Sequence, residues 1–180
     1  MGTTNRNNKN SRHKAADALD WNEAMSLIEQ LKDDARYRDA MLIASGCFLG
    51  LRISDLLRLR WSHLFNEKLV LSEKKTGKER VLRVNPRLKE LASECLSVLE
   101  VDDPREFIFG SRKYGQYSPM TRQMAFKILK DCKTQYNLKS AETFSTHSLR
   151  KTFGRRIWLQ ECEKGRGEHA LMLLQDVFGH

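Results

Sequence analysis

The chain has no CxxC pair. Its four cysteines, Cys47, Cys95, Cys132 and Cys162, lie far apart, each within a helical pattern. That usage excludes a disulfide scaffold and is what reduced core thiols in a cytosolic protein show. Cys162, His169 and His180 match no common zinc spacing, and no Asp/Glu cluster of metal-binding type occurs, so no metal is expected. A signal peptide, an apolar run of membrane-spanning length and an internal repeat are also lacking. The first fourteen residues hold no acid and almost nothing apolar, yet carry Arg6, Lys9, Arg12 and Lys14. Residues 1–18 are expected to be a disordered basic arm or an appended leader, and 19–180 one domain.

What is abundant is positive charge. The 180 residues include 32 Lys and Arg against 23 Asp and Glu, a net +9. Without the four cations of the arm, 28 basic side chains still face 23 acidic ones, leaving +5. That excess favours a polyanionic partner.

The organising stretch is Ser45-Gly-Cys-Phe-Leu-Gly-Leu-Arg-Ile-Ser-Asp-Leu-Leu-Arg-Leu-Arg-Trp61. Met41 to Leu49 reads as a buried helix stopped by Gly50, and Ser54 is placed to cap a short helix after it. Between them stands Arg52, a permanent cation in an apolar turn. A buried guanidinium requires an anion, and the nearest in sequence is Asp55.

Asp20-Trp-Asn-Glu23 has capping-box spacing, and Ala24, Leu27, Ile28 and Leu31 share a face behind it. Lys68–Leu71 and Arg80–Val84 have strand character. Lys74-Lys-Thr-Gly-Lys78 between them predicts a hairpin with a cationic tip, which by itself means no more than edge protection. Pro86 opens a helix with Leu88, Leu91, Ala92, Cys95, Leu96 and Leu99 in register. Val101 to Pro119 reads as loop. Pro119 or Thr121 opens the next helix, and Thr146 caps another in which His147 and Arg150 fall three apart on one face. A last amphipathic helix, Ala170–Phe178, ends at Gly179 and His180. The fold class is mainly α with a small antiparallel β-sheet.

Taken singly these are weak signals. Their order is not: Gly50-Leu-Arg-Ile-Ser-Asp55, a lysine at a strand–strand turn, Thr-His-Ser-Leu-Arg-Lys-Thr-Phe, then Val-Phe-Gly-His. From about Leu19 to His180 the chain resembles the catalytic domain of the tyrosine recombinases, the phage-integrase family. The resemblance implies that fold. It implies catalytic roles for Arg52, Lys75, His147, Arg150 and His180, with Lys74 and Lys78 as competitors for the lysine. The activity implied is site-specific recombination or integration, in which a tyrosine attacks a DNA phosphate to form a 3′-phosphotyrosine link, with no metal or nucleotide cofactor. The implied partner is double-stranded DNA, with the full-length protein a homo-oligomer, a tetramer, on it, in a nucleoid-associated setting away from any membrane.

In the family the nucleophile lies roughly nine residues beyond the position of His180. Tyr37, Tyr114, Tyr117 and Tyr136 do not match it. The expectation is therefore a catalytic domain incomplete at its C-terminus and inactive in cleavage as this chain. Alternatives are a non-catalytic DNA-binding regulator of recombination sites and a type IB topoisomerase-like activity.

Overall fold

Asp20 starts the first helix as its spacing requires: its carboxylate accepts from the N–H groups of Asn22 and Glu23. The reciprocal half of the capping box does not form. Glu23 instead takes the N–H groups of Lys139 and Ser140, and Asp20 N–H goes to the Ser140 hydroxyl at 2.7 Å. The structure, a computed structural model, describes residues 15–111 and 115–178, and of 115–117 only the backbone.

Helix α1 (Trp21–Asp33) buries Ala24, Leu27, Ile28 and Leu31 against α2 (Tyr37–Leu49), which is buried almost all round. Helix α2 stops at Gly50, whose φ of 59° is left-handed and open to glycine. The short α3 (Ile53–Leu56) follows, then α4 (Trp61–Phe65) with Trp61 fully buried. Arg52, not Ser54, occupies the N-cap of α3, and no side chain caps it. The αL turn at Gly50 starts the helix one residue before Ser54, and the Ser54 hydroxyl is left at 3.5 Å from Asp55.

Strands β1 (Lys68–Ser72) and β2 (Glu79–Arg83) pair antiparallel, Val70 opposite Val81, and turn at Gly77 with φ 67°. Helix α5 (Pro86–Val98), capped by Asn85, buries Leu88, Leu91, Ala92 and Cys95. The expected loop from Val101 to Pro119 contains a second small sheet, β3 (Gly110–Ser111) with β4 (Gly115–Pro119). A two-residue strand carries no periodicity to read, which is why it was legible only as loop. Phe107, Ile108 and Phe109 ahead of it are buried.

Thr121 caps α6 (Arg122–Gln135). Ser145, one residue before the expected Thr146, caps α7 (Thr146–Glu163), with Ser148 closing the box onto the Ser145 N–H. Helix α8 (Gly167–Phe178) folds back on α7. The architecture is mainly helical with two small antiparallel sheets. Among the described residues no helix is long and apolar enough to cross a membrane.

Cys47, Cys95 and Cys132 are buried, and burial pushes the thiols of Cys47 and Cys95 up to about 12. Cys162 departs from the expected core set: it is exposed at the C-terminal end of α7.

Candidate active site

Helix α7 crosses α2 at a distance only glycine permits. A Cβ on Gly46 would lie 2.7 Å from that of Leu149, and one on Gly50 would lie 2.3 Å from the Phe153 ring. The close crossing sets the first turn of α7 beside the α2–α3 turn. Arg150 then donates to the Gly50 carbonyl at 2.7 Å, fixing its guanidinium beside that of Arg52. Ser148, fully buried, anchors the same turn through the Thr143 carbonyl at 3.1 Å.

Both guanidinium groups reach one oxygen. Arg52 Nη2 and Arg150 Nη2 each donate to the Phe178 carbonyl at 3.3 Å. The Phe178 ring lies under Arg150, 4.4 Å from its guanidinium carbon, where Gly154 leaves room for it. Burial, with Arg52 and Arg80 close by, pulls Arg150 down to about 10. The charge is held there under stress, and an anion would relieve it.

Arg52 does not pair with Asp55. Its Nη1 meets Glu73 Oε2 at 2.5 Å. Asp55 instead accepts the Lys74 N–H at 3.0 Å. The two carboxylates thus divide the work: Glu73 holds the arginine, and Asp55 pins the hairpin tip onto α3. Glu73 also accepts from Thr76 and Arg80. Burial raises its carboxyl, but the Thr76 hydroxyl and the two guanidinium groups outweigh that and hold it below the usual range.

An open cleft of about 850 Å³ runs across this surface. Arg52, Lys75, His147 and Arg150 all line it, as do Lys74, Arg58 and Arg122. Among the described residues, six cations therefore face the cleft and no carboxylate lines it. Lys75 and His147 are exposed, His147 in the first turn of α7 with its N–H on the Ser145 hydroxyl. His180 lies outside the described residues, so the fifth candidate has no position here.

Sequence reasoning missed Arg58, Glu73, Arg80 and Arg122. Arg122 had a signal, the first helical position after the Thr121 cap; Glu73 and Arg80 had only their place beside the Lys74–Lys78 tip. Of the tyrosines, Tyr37 packs against the core and Tyr136 donates to Asp34 at 2.6 Å; neither lines the cleft. Tyr114 and the Tyr117 side chain lie outside the described residues. Among the described residues, no group of three or more His, Cys, Asp or Glu side chains is arranged to hold a metal ion.

The phage integrase family model matches residues 17–180. A probable integrase/recombinase, YoeC of Bacillus subtilis (strain 168), is 31% identical over 133 residues, 73% of this chain and 69% of that protein. Tyrosine recombinase XerC of Pseudomonas putida (strain W619) is 29% identical over 167 residues, 90% of this chain and 51% of that protein. Among solved structures, the XerH site-specific recombinase bound to difH substrate in a pre-cleavage complex superposes with a TM-score of 0.67. It is 21% identical and covers 91% of this chain and 47% of that one. The chain thus spans about half the length of XerC and of the XerH chain.

Proposed function

The chain belongs to the phage integrase family, and from that membership we infer that it forms the catalytic domain of a recombinase that breaks and rejoins DNA through a 3′-phosphotyrosine intermediate. The observation that supports this reading is the pair Arg52 and Arg150, which donate to one oxygen and both line a cleft to which the described residues bring six cations and no acid. The similar XerH is bound to its difH substrate in the solved complex; for this chain, double-stranded DNA is the corresponding substrate, and an assembly on DNA the corresponding working form.

The roles follow from the chemistry of the groups. Two guanidinium groups stay protonated and donate in pairs, which suits the negative charge growing on the non-bridging oxygens as a tyrosine attacks phosphorus. Lys75 protonates the leaving 5′-oxygen from the hairpin tip. His147 takes the proton of the attacking hydroxyl or donates to the phosphate. His180 takes the second histidine role by its place in the family motif. The phosphotyrosine link conserves the bond energy, so the step calls on no nucleotide.

A second reading, a DNA-binding regulator without cleavage, is favoured by one observation. No described tyrosine lines the cleft. A suicide duplex carrying a bridging sulfur at the scissile position separates the two. As a recombinase domain, the 180-residue chain cleaves once joined to a downstream segment bearing a tyrosine; as a regulator, it binds and never cleaves.

A further inference from the structure

We propose that Glu73 is a displaceable counter-ion, holding Arg52 while the cleft is empty and swinging fully onto Arg80 when a phosphodiester arrives. This rests on the reading that the cleft takes DNA phosphate. It adds a residue that neither the motifs nor the cleft lining singles out.

The carboxylate is divided between two arginines. Its Oε2 accepts from Arg52 Nη1 at 2.5 Å and from the Thr76 hydroxyl at 2.8 Å, while Oε1 accepts from Arg80 Nη1 at 3.2 Å. Arg80 uses only half of its fork, because its Nη2 is buried and finds no partner among the described residues. A buried cationic donor left without an acceptor is a standing free-energy cost. One rotation of the Glu73 side chain, carrying Oε2 from Arg52 to Arg80 Nη2, would close a bidentate pair and remove that cost. The same rotation frees Arg52 Nη1, on the cleft wall, for a phosphate oxygen.

Only the side chain has to move. The Glu73 N–H donates to the Lys78 carbonyl at 2.9 Å, and its own carbonyl accepts from Gly77 N–H at 2.8 Å. The next residue is held by Asp55 through the Lys74 N–H. Lys75 therefore keeps its place at the cleft in both states. A purely structural clamp would saturate Arg80 and would not engage an arginine that lines the cleft.

The test is the affinity of the 180-residue chain for a fluorescein-labelled duplex, read by anisotropy, across a cycle of variants. Glu73→Gln removes the competitor and binds about fivefold tighter. Glu79→Gln, the same charge change at an exposed position of the same hairpin, shifts affinity by less than about twofold. Arg80→Lys keeps the charge but loses the fork. It weakens binding several-fold in the parent and leaves it unchanged in the Glu73→Gln background.

Equal effects of Glu73→Gln and Glu79→Gln would overturn the proposal, as would an equal effect of Arg80→Lys in both backgrounds. The unsubstituted chain gives a second readout that needs no variant. In arginine side-chain NMR the Arg80 Nε–H resonance shifts on adding duplex in step with that of Arg52, and a stationary Arg80 resonance overturns the swing. Binding that ignores Arg150→Met would instead overturn the phosphate reading beneath the proposal.

Discussion

Arg52 and Arg150, from opposite ends of the domain's sequence, donate to the same backbone oxygen, the carbonyl of Phe178, each at 3.3 Å. Two cations sharing one neutral acceptor is an arrangement waiting for a better one. It has a consequence that needs no DNA. Inorganic sulfate or phosphate bound there should stabilise the fold by mass action, raising Tm by about 3 °C at ten times its Kd. Excluded-ion effects of the same salts act on every variant alike. The site-specific part is the portion lost in Arg150→Met, measured by differential scanning fluorimetry.

Lys75 and Arg150 should separate affinity from chemistry. On the proposed mechanism Arg150 would touch phosphate in both the bound and the transition state, whereas Lys75 would act on the leaving oxygen. Lys75→Met should leave duplex affinity within about threefold of the parent, while Arg150→Met lowers it about tenfold or more. In a tyrosine-bearing extended chain, the bridging-sulfur substrate, whose thiolate leaves without a proton, should restore cleavage to Lys75→Met alone. Equal affinity losses would make both residues phosphate clamps.

The α2–α7 crossing predicts a stability cost at its two glycines. Gly46→Ala forces a methyl to within 2.7 Å of Leu149 Cβ and should destabilise by about 1–3 kcal/mol. Gly50→Ala meets Phe153 and a positive φ together, so it should cost about 2–4 kcal/mol. Urea unfolding measures both. Gly77→Ala, at an open turn where a Cβ meets nothing, carries only the backbone part.

Glu161 sets a pH signature at the α7–α8 elbow. Its carboxylate takes Lys164 at 3.0 Å, His169 Nδ1 at 3.0 Å and Arg166 at 2.8 Å. Hydrogen bonds from Lys164 and His169 lower it to about 2, against burial. A depressed carboxylate contributes stability that is complete above the ordinary carboxylate range and lost as pH falls through the folded value. Glu161→Gln should therefore lower Tm at pH 7, and the gap to the parent should close as pH falls from about 4.5 toward 2. A gap that stays constant across that window contradicts the ion-pair origin.

Much of the fold was legible in the sequence because its signals are local. The Asp20 cap, the stop at Gly50, the turn at Gly77 and the three-residue spacing of His147 and Arg150 each depend on neighbours within one turn. Two caps slipped by a residue or two: at Ser54 because the left-handed turn at Gly50 starts the helix earlier, and at Thr146 because Ser145 beside it competes for the same N–H groups. The convergence of Arg52, Lys75, His147 and Arg150 was legible only through the order of motifs, since nothing local says which faces meet. The anion that meets Arg52 was not legible. Asp55 is nearest in sequence, but the hairpin folds Glu73 over instead and leaves Asp55 to a backbone N–H. The Phe178 contact had no signature at all, because its acceptor is a main-chain atom.

Whether this cleft binds DNA through its phosphates is decided by the salt dependence of duplex binding, measured for the parent and for Arg150→Met. Neutralising each phosphate releases counter-ions, with a slope of about −0.9 in log K against log salt per contact. Affinity should fall roughly tenfold or more between about 50 and 200 mM salt. The slope should be shallower by about one in Arg150→Met. Affinity that barely changes with salt, or an Arg150→Met slope equal to the parent's, would contradict it.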